Sequence, residues 1–390
     1  MSFSFGFSGD DIEDDHDSPN DLATKLNDTK ITPSHSTTLL QPKRHTLAEL
    51  LQSLPSQISY NWLDVPLHTD HAQPSLTGEE RDGRERTSVK VPRREVHDIR
   101  QQLMAEVDLD DSGTDATDSL LEGLATGDLS TGIYEGGFKT WECAVDLAGF
   151  VTGMNIDADG TGTGEQRIIE LGAGSAIPSL VLLQKVLRER SGTGTGDKKD
   201  RGKGRVRFTL CDYNEDVLRL CTAVNVFLSI VPSGTDGTEE SEGGEEGHME
   251  VNETLTQKAL QTLKDADIEI DFISGAWGDA FLQLLYSERQ SAVDSSPSQS
   301  HTRVLASETI YSPDSLGPFS KLLVDILEEE RRTANGRAEV FVAAKKVYFG
   351  VGGGVAEFEE EMRQLGGTTR TVLDVKGAGV GRVVLEVSIN

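Results

Sequence analysis

The chain has few of the residues that most chemical scaffolds rely on. It has three cysteines in 390 residues. Cys143, Cys211 and Cys221 fall in apolar core segments without metal-type spacing, so neither a disulfide framework nor a zinc site is expected, and a reducing compartment follows. Basic residues are scarce: 37 Lys and Arg stand against 66 Asp and Glu, giving a formal charge of -29. That balance argues against nucleic-acid binding, which needs a basic surface to displace counterions from phosphate. It suits a basic protein partner, although acidity that only keeps the chain soluble would read the same way. No run of about 18 apolar residues occurs, and the acidic amino terminus MSFSFGFSGDDIEDD lacks the basic region and apolar stretch of a secretory signal. A soluble monomer of the cytoplasm and nucleus, away from membranes, is the expectation.

Histidines are also few where chemistry is expected. Of the eight, His16, His35, His45, His68, His71 and His97 precede residue 128, while His248 and His301 lie in or beside low-complexity stretches. No Ser-His-Asp arrangement and no His-Cys cluster can be assembled from core segments. Catalysis must then rest mainly on positioning, which can supply roughly 7–11 kcal/mol.

What is present begins with an acidic, apolar-poor stretch over residues 1–45, too polar to offset ordering entropy and expected to be disordered. Phe3, Phe5 and Phe7 alternate within it, as in either an extended docking segment or a floppy tail. Residues 46–127 read as an accessory helical segment: Leu47, Leu50, Leu51 and Leu54 keep helical spacing before Pro55, and a second short helix is expected over 96–106. From residue 128 onward, short β-rich runs alternate with amphipathic helices, the pattern of a parallel sheet with crossover helices. Strands are expected at 167–171, 206–211, 268–272, 304–307 and 339–344, and a terminal antiparallel pair at 371–375 and 382–389. Low-complexity insertions near 191–204, 231–260 and 288–302 interrupt this domain, and all three read as mobile surface loops.

The strand IIEL runs into Gly172, Ala173 and Gly174 and then a helix, so backbone N–H groups face a ligand at close range. Asp212 ends the next strand 40 residues after Gly172, or 26 once the 14-residue insertion is removed. That approaches the spacing of roughly 20 expected of an acid that holds ribose hydroxyls. Gly275, Ala276 and Trp277 follow the third strand; the indole either covers an adenine face or packs in the core. Ile177 stands where a dinucleotide fingerprint has its third glycine, so a nucleoside ligand without phosphate fits better than a nicotinamide dinucleotide. Glu308 and Tyr311 close the fourth strand at the edge where open α/β sheets place reacting groups. Both are candidates for substrate handling, although Glu308 could instead bond a helix terminus.

The stretches TGIYEGGFKTWEC (131–143), IIELGAGS (168–175), CDYN (211–214), FISGAW (272–277), SETIYSPD (307–314) and YFGVGGG (348–354) occur in this order. With them the chain resembles the histidine protein methyltransferase 1 family. The resemblance implies a Rossmann-like, seven-strand class I methyltransferase sheet of the α/β class, mostly parallel with an antiparallel carboxy-terminal strand. It further implies S-adenosyl-L-methionine as cofactor, S-adenosyl-L-homocysteine as product, and cofactor contacts at Thr140, Trp141, Glu142, Cys143, Ala144, Gly172, Gly174, Cys211, Asp212, Tyr213, Gly275, Ala276, Trp277 and Ser307. The implied substrate is a histidine of large-subunit ribosomal protein L-three, a role in ribosome biogenesis. Lysine methylation by the same fold, and a non-catalytic cofactor-binding assembly factor, are the competing readings.

Overall fold

The carboxy-terminal two thirds of the chain supplies most of one large sheet. The computed structural model describes residues 40–68, 87–109, 136–156, 164–190, 204–231, 238–240, 246–291, 300–333, 336–349, 352–376 and 379–389. The expectations for residues 1–39, with Phe3, Phe5 and Phe7, and for most of the 191–204 insertion lie outside them.

In chain order the elements are β1 (Lys43–Thr46), α1 (Leu47–Leu50), β2 (Gln57–Pro66), β3 (Ser88–Arg94), α2 (Val96–Leu109), α3 (Glu142–Val151), β4 (Glu165–Leu171), α4 (Ile177–Arg190) and β5 (Val206–Asp212). A composite helix, α5, joins Glu215–Val217, a π-turn at Leu218–Thr222 and Ala223–Ile230. There follow β6 (Thr238–Glu240), β7 (Glu246–Glu250), α6 (Glu253–Asp265), β8 (Ile268–Ser274), α7 (Asp279–Ser291), β9 (Ser300–Ser307), α8 (Pro313–Arg332), β10 (Gly336–Lys345), α9 (Val355–Gln364), β11 (Gly367–Val375) and β12 (Arg382–Ile389).

The main sheet has the order β1-β8-β5-β4-β9-β10-β12-β11. β8, β5, β4, β9 and β10 run parallel, and β12 and β11 close one side antiparallel. Those seven strands are the sheet expected from the sequence. The buried strands are nearly continuous runs of Val, Ile, Leu and Ala because helices cover both faces. On one face α3, α4 and α5 bury Leu147, Leu180, Val224 and Phe227; on the other α7, α8 and α9 bury Phe281, Phe319, Leu323 and Phe358.

The amino-terminal region departs from expectation. The disordered stretch was placed over residues 1–45, yet Lys43–Thr46 forms an eighth strand, antiparallel to β8, with Lys43 opposite Ser274 and Thr46 opposite Asp271. A charged, polar run becomes ordered there because the open sheet edge supplies its backbone partners. Of the helical segment expected over 46–127, the described part holds only α1, one 3₁₀ turn and α2 as helix. Thr46 caps α1 through a capping box with Glu49, but Pro55 stops the helix. Beyond it, Ile58, Tyr60 and Val65 are buried in a strand.

β2 belongs to a second, four-stranded antiparallel sheet, β3-β2-β7-β6. Its third strand comes from the stretch read as a mobile loop over 231–260: Gly247 and Met249 face inward, Glu246, His248 and Glu250 outward. The glutamates lie on the solvent face, which hid an alternating strand inside an acidic run. β6 lies in the same stretch, and α6, capped by Asn252, begins at its end. Ser300–Thr302, assigned to the insertion over 288–302, is instead the buried start of β9.

Candidate active site

In-register parallel strands bring their carboxyl ends to one edge. Leu171 lies opposite Cys211, Asp212 opposite Ser274, and Ser307 opposite Ala343. Gly172, Asp212, Gly275 and Glu308 therefore line a single edge, although 136 residues separate the first from the last. β4 and β9 are neighbours with crossovers leaving in opposite directions, which opens a crevice between their ends.

The glycine loop is held from both sides. Gly172 and Gly174 take φ of 65° and 49°, and Ala176 takes 57°. Ala176 thus adopts the left-handed conformation without being glycine, which costs about 1–2 kcal/mol. Asp212 Oδ2 accepts from Gly174 N (3.0 Å) and Oδ1 from Asn214 N (3.2 Å). Glu170, at the end of β4, accepts from Ser179 N (3.0 Å) at the start of α4. Its complete burial pushes its carboxyl up to about 8.

Two residues that the sequence did not single out complete the cradle. The π-turn aims Thr222 inward, where its hydroxyl donates to Gly174 O (2.6 Å), and Asn225 Nδ2 donates to Ser175 O (3.0 Å). π-turns frequently mark functional positions, but a one-residue insertion in a helix leaves no readable period.

The residues around 140 are brought to the same edge by α3. Thr140 Oγ1 donates to Ser175 Oγ (3.1 Å). Trp141 precedes α3, its indole N–H donating to Gly136 O (3.1 Å) and its ring flanked by Lys139 and Lys345. Glu142 pairs with Lys345 at 3.0 Å. Cys143 and Ala144 are buried against the sheet, and burial, then the Glu308 carboxylate, push the Cys143 thiol far above its ordinary value.

Across the crevice, Gly275 N donates to the carbonyls of Asp212 (3.2 Å) and Tyr213 (3.1 Å), and Ala276 N to Leu40 O (3.0 Å). Gly275 sits at φ 110°, and a Cβ there would lie 2.7 Å from Pro42 Cα. Only glycine fits beneath the strap that leads into β1. Trp277 stacks obliquely on Phe319 of α8, with ring centroids 5.1 Å apart.

At the end of β9, Ser307 is followed by Glu308 at φ 56°, a strained conformation for a residue with a side chain. Glu308 N donates to Ala343 O (3.0 Å), its Oε2 accepts from Tyr348 (2.5 Å), and Oε1 lies 3.8 Å from Lys345 Nζ with no hydrogen bond of its own. Tyr311 meets Tyr348 edge to face at 6.4 Å. Gly353 presses against the Ile310 and Tyr311 carbonyls, 2.4 Å from where a Cβ would stand. The described part of YFGVGGG therefore packs directly on SETIYSPD. Phe349 beside it is 80% exposed.

The other late histidine is far from this edge. His301, expected beside a loop, is buried at the start of β9, its Nδ1 accepting from Arg303 (3.1 Å) and its Nε2 facing Glu339 at 3.0 Å.

The residues present fit a sulfonium nucleoside: Asp212 is an acid closing β5 where ribose hydroxyls would need an acceptor, and the Asp212 and Glu308 carboxylates stand at the same sheet edge, where negative charge favours a cation.

No protein-family model matches the chain. It is 30% identical to histidine protein methyltransferase 1 of Saccharomyces cerevisiae, over 92% of this chain and 90% of that protein. To histidine protein methyltransferase 1 of Schizosaccharomyces pombe it is 29% identical, over 98% of this chain and 92% of that one. A crystal structure of magnesium protoporphyrin IX methyltransferase from Synechocystis with bound S-adenosylhomocysteine aligns with 74% of this chain and 94% of its own, at 11% identity and a TM-score of 0.30, too distant to carry a functional argument.

Proposed function

The chain belongs to the histidine protein methyltransferase 1 family, and from that premise we propose that it methylates a histidine imidazole of large-subunit ribosomal protein L-three, acting as a monomer in the cytoplasm and nucleus. It is an S-adenosylmethionine-dependent protein methyltransferase. The observation that supports the reading best is Glu308, held rigidly at the sheet edge with one carboxylate oxygen lacking a hydrogen bond.

The residues that would hold the cofactor are Asp212 on the ribose hydroxyls, the loop at Gly172 and Gly174 on the amino-acid portion, Gly275 through Trp277 beside the adenine, and Thr140 through Ala144 along the near wall. When bound, the cofactor supplies a methyl carbon already activated by positive sulfur. Glu308 Oε1 accepts the N–H of one ring nitrogen, which fixes the tautomer and leaves the lone pair of the other nitrogen facing the crevice. A free imidazole, with a pKa of about 6.5, is mostly neutral at pH 7, so little deprotonation is needed first. With a methyl group on one ring nitrogen, the other nitrogen would have to release its proton, which Glu308 would accept and pass to water. Tyr311 borders the entry of the ring. Positioning is the main contribution asked of the protein, consistent with the roughly 7–11 kcal/mol it can supply.

An acidic surface suits a basic substrate, since opposite charge raises the encounter rate. Incubating the protein with labelled cofactor and either free ribosomal proteins or ribosomes, followed by amino-acid analysis, tests the reading. Methylhistidine in protein L-three is the expected product. Methyl-lysine alone would move the chain to the lysine-modifying reading, and an absence of turnover despite cofactor binding would favour the assembly factor.

A further inference from the structure

The proposed role of Glu308 leaves a question of choice. A carboxylate free to rotate offers either oxygen, and an imidazole can dock either ring nitrogen. Three features restrict that freedom, and all come from β10 and the turn after it.

The Glu308 backbone is tied to Ala343 O. Its Oε2 is occupied by the Tyr348 hydroxyl at 2.5 Å, while that same hydroxyl accepts from Lys345 N at 3.2 Å. Its Oε1 faces Lys345 Nζ at 3.8 Å, and Lys345 is itself tied at 3.0 Å to Glu142 and lies over the Trp141 ring. The Cys143 thiol completes the surroundings from α3. Burial, then the Glu308 carboxylate, push the Tyr348 phenol well above its ordinary value, so the phenol remains a donor wherever the protein is folded.

We infer that Tyr348 is a positioning residue that dedicates one oxygen of Glu308 to the substrate and thereby selects which imidazole nitrogen is methylated. The inference rests on the proposed reading of Glu308 as the imidazole's partner. Tyr348 holds Oε2, so Oε1 alone meets the ring N–H, from one fixed direction. The ring then enters in one orientation, with a single nitrogen in line with the methyl carbon. Without the phenol, the carboxylate turns about its terminal torsion, whose barrier is low, and the flipped ring becomes an acceptable guest.

The test compares wild type, Tyr348→Phe, Glu308→Gln and the double variant on a histidine-containing basic substrate, separating the two ring-methylated isomers by chromatography. Affinity for S-adenosylhomocysteine, measured by calorimetry, reports whether each variant is folded. The wild type should give one isomer. Tyr348→Phe should give both and lower kcat roughly ten- to a hundred-fold, with S-adenosylhomocysteine affinity unchanged, and adding it to Glu308→Gln should cost nothing more. A single isomer from Tyr348→Phe, or a loss that adds to that of Glu308→Gln, overturns the inference while leaving the role of Glu308 standing. Full activity in Glu308→Gln instead removes the proposed reading, and the inference with it. Should Tyr348→Phe lose cofactor binding, Tyr348→Gln carries the comparison, because its amide can still donate to Oε2: it should keep the single isomer, and a mixture from it overturns the inference.

Discussion

At the scale of single residues, the edge of the sheet is where identity matters most. Asp212 joins the glycine loop to the end of β5 through two backbone amides. Its replacement by Ala leaves the buried Gly174 N–H unsatisfied, at about 1–3 kcal/mol. Calorimetry with S-adenosylhomocysteine should therefore show at least a tenfold loss of affinity. Glu170 carries a different signature. Its carboxyl is raised from 4.5 to about 8 by burial, so the folded protein holds a proton that the unfolded chain releases. By linkage, stability is full below about pH 4.5 and declines as pH rises from there through about 8. Glu170→Gln should flatten that decline, seen as a melting temperature that changes less between pH 5 and pH 8.5 than in wild type; an equal slope in both proteins would assign the pH dependence elsewhere. Sequence reasoning reached Gly172, Gly174, Asp212, Gly275 and Glu308 because each closes or follows a strand, visible where an apolar run gives way to glycine or an acid. It passed over Thr222, Asn225 and Lys345, whose roles depend on contacts between elements far apart in the chain.

Among the elements, β1 is the one the amino-acid pattern hid best. It has only four residues, and its order depends on β8, whose edge it covers from more than 200 residues away. Lys43 pairs with Glu215 at 2.9 Å and His45 Nε2 meets Ser274 Oγ at 2.8 Å, so the strand is tied both to the start of α5 and to the end of β8. Removing residues 1–46 should expose that edge to pairing between molecules and release the loop at Gly275. Light scattering should show association, and cofactor affinity should fall roughly tenfold, the equivalent of about 1.4 kcal/mol. The milder Gly275→Ala variant keeps the strand but forces a Cβ against Pro42 at positive φ. A cost of about 1–3 kcal/mol is expected, read as a melting temperature several degrees lower. The five parallel strands of the methyltransferase sheet were legible because each is followed by a helix, and the last two because a glycine-rich turn separates them. β2 and β7 were not, since each alternates too briefly to stand out and finds its partner only in the folded chain.

Across the whole molecule, charge is the dominant bulk property. With a formal charge of -29, capture of a basic substrate should weaken with ionic strength as the Debye length contracts from about 10 Å at 0.1 M to about 3 Å at 1 M. KM for the protein substrate should rise several-fold between 50 and 300 mM salt, while kcat holds steady because the crevice chemistry is shielded. A KM insensitive to salt would show that the acidity serves solubility alone. The class of fold and its acidic character were readable from composition and periodicity; the second sheet was not, because it is assembled from both sides of the sequence. That assembly sets a timetable during synthesis. Ser59 of β2 and His248 of β7 are 189 residues apart, and at about 5–20 residues per second the ribosome needs about ten to forty seconds to traverse that distance. Until then the amino-terminal strands have emerged without their docking partner, so the earliest part of the chain to be made is among the last to settle, and chaperone attention should concentrate on it.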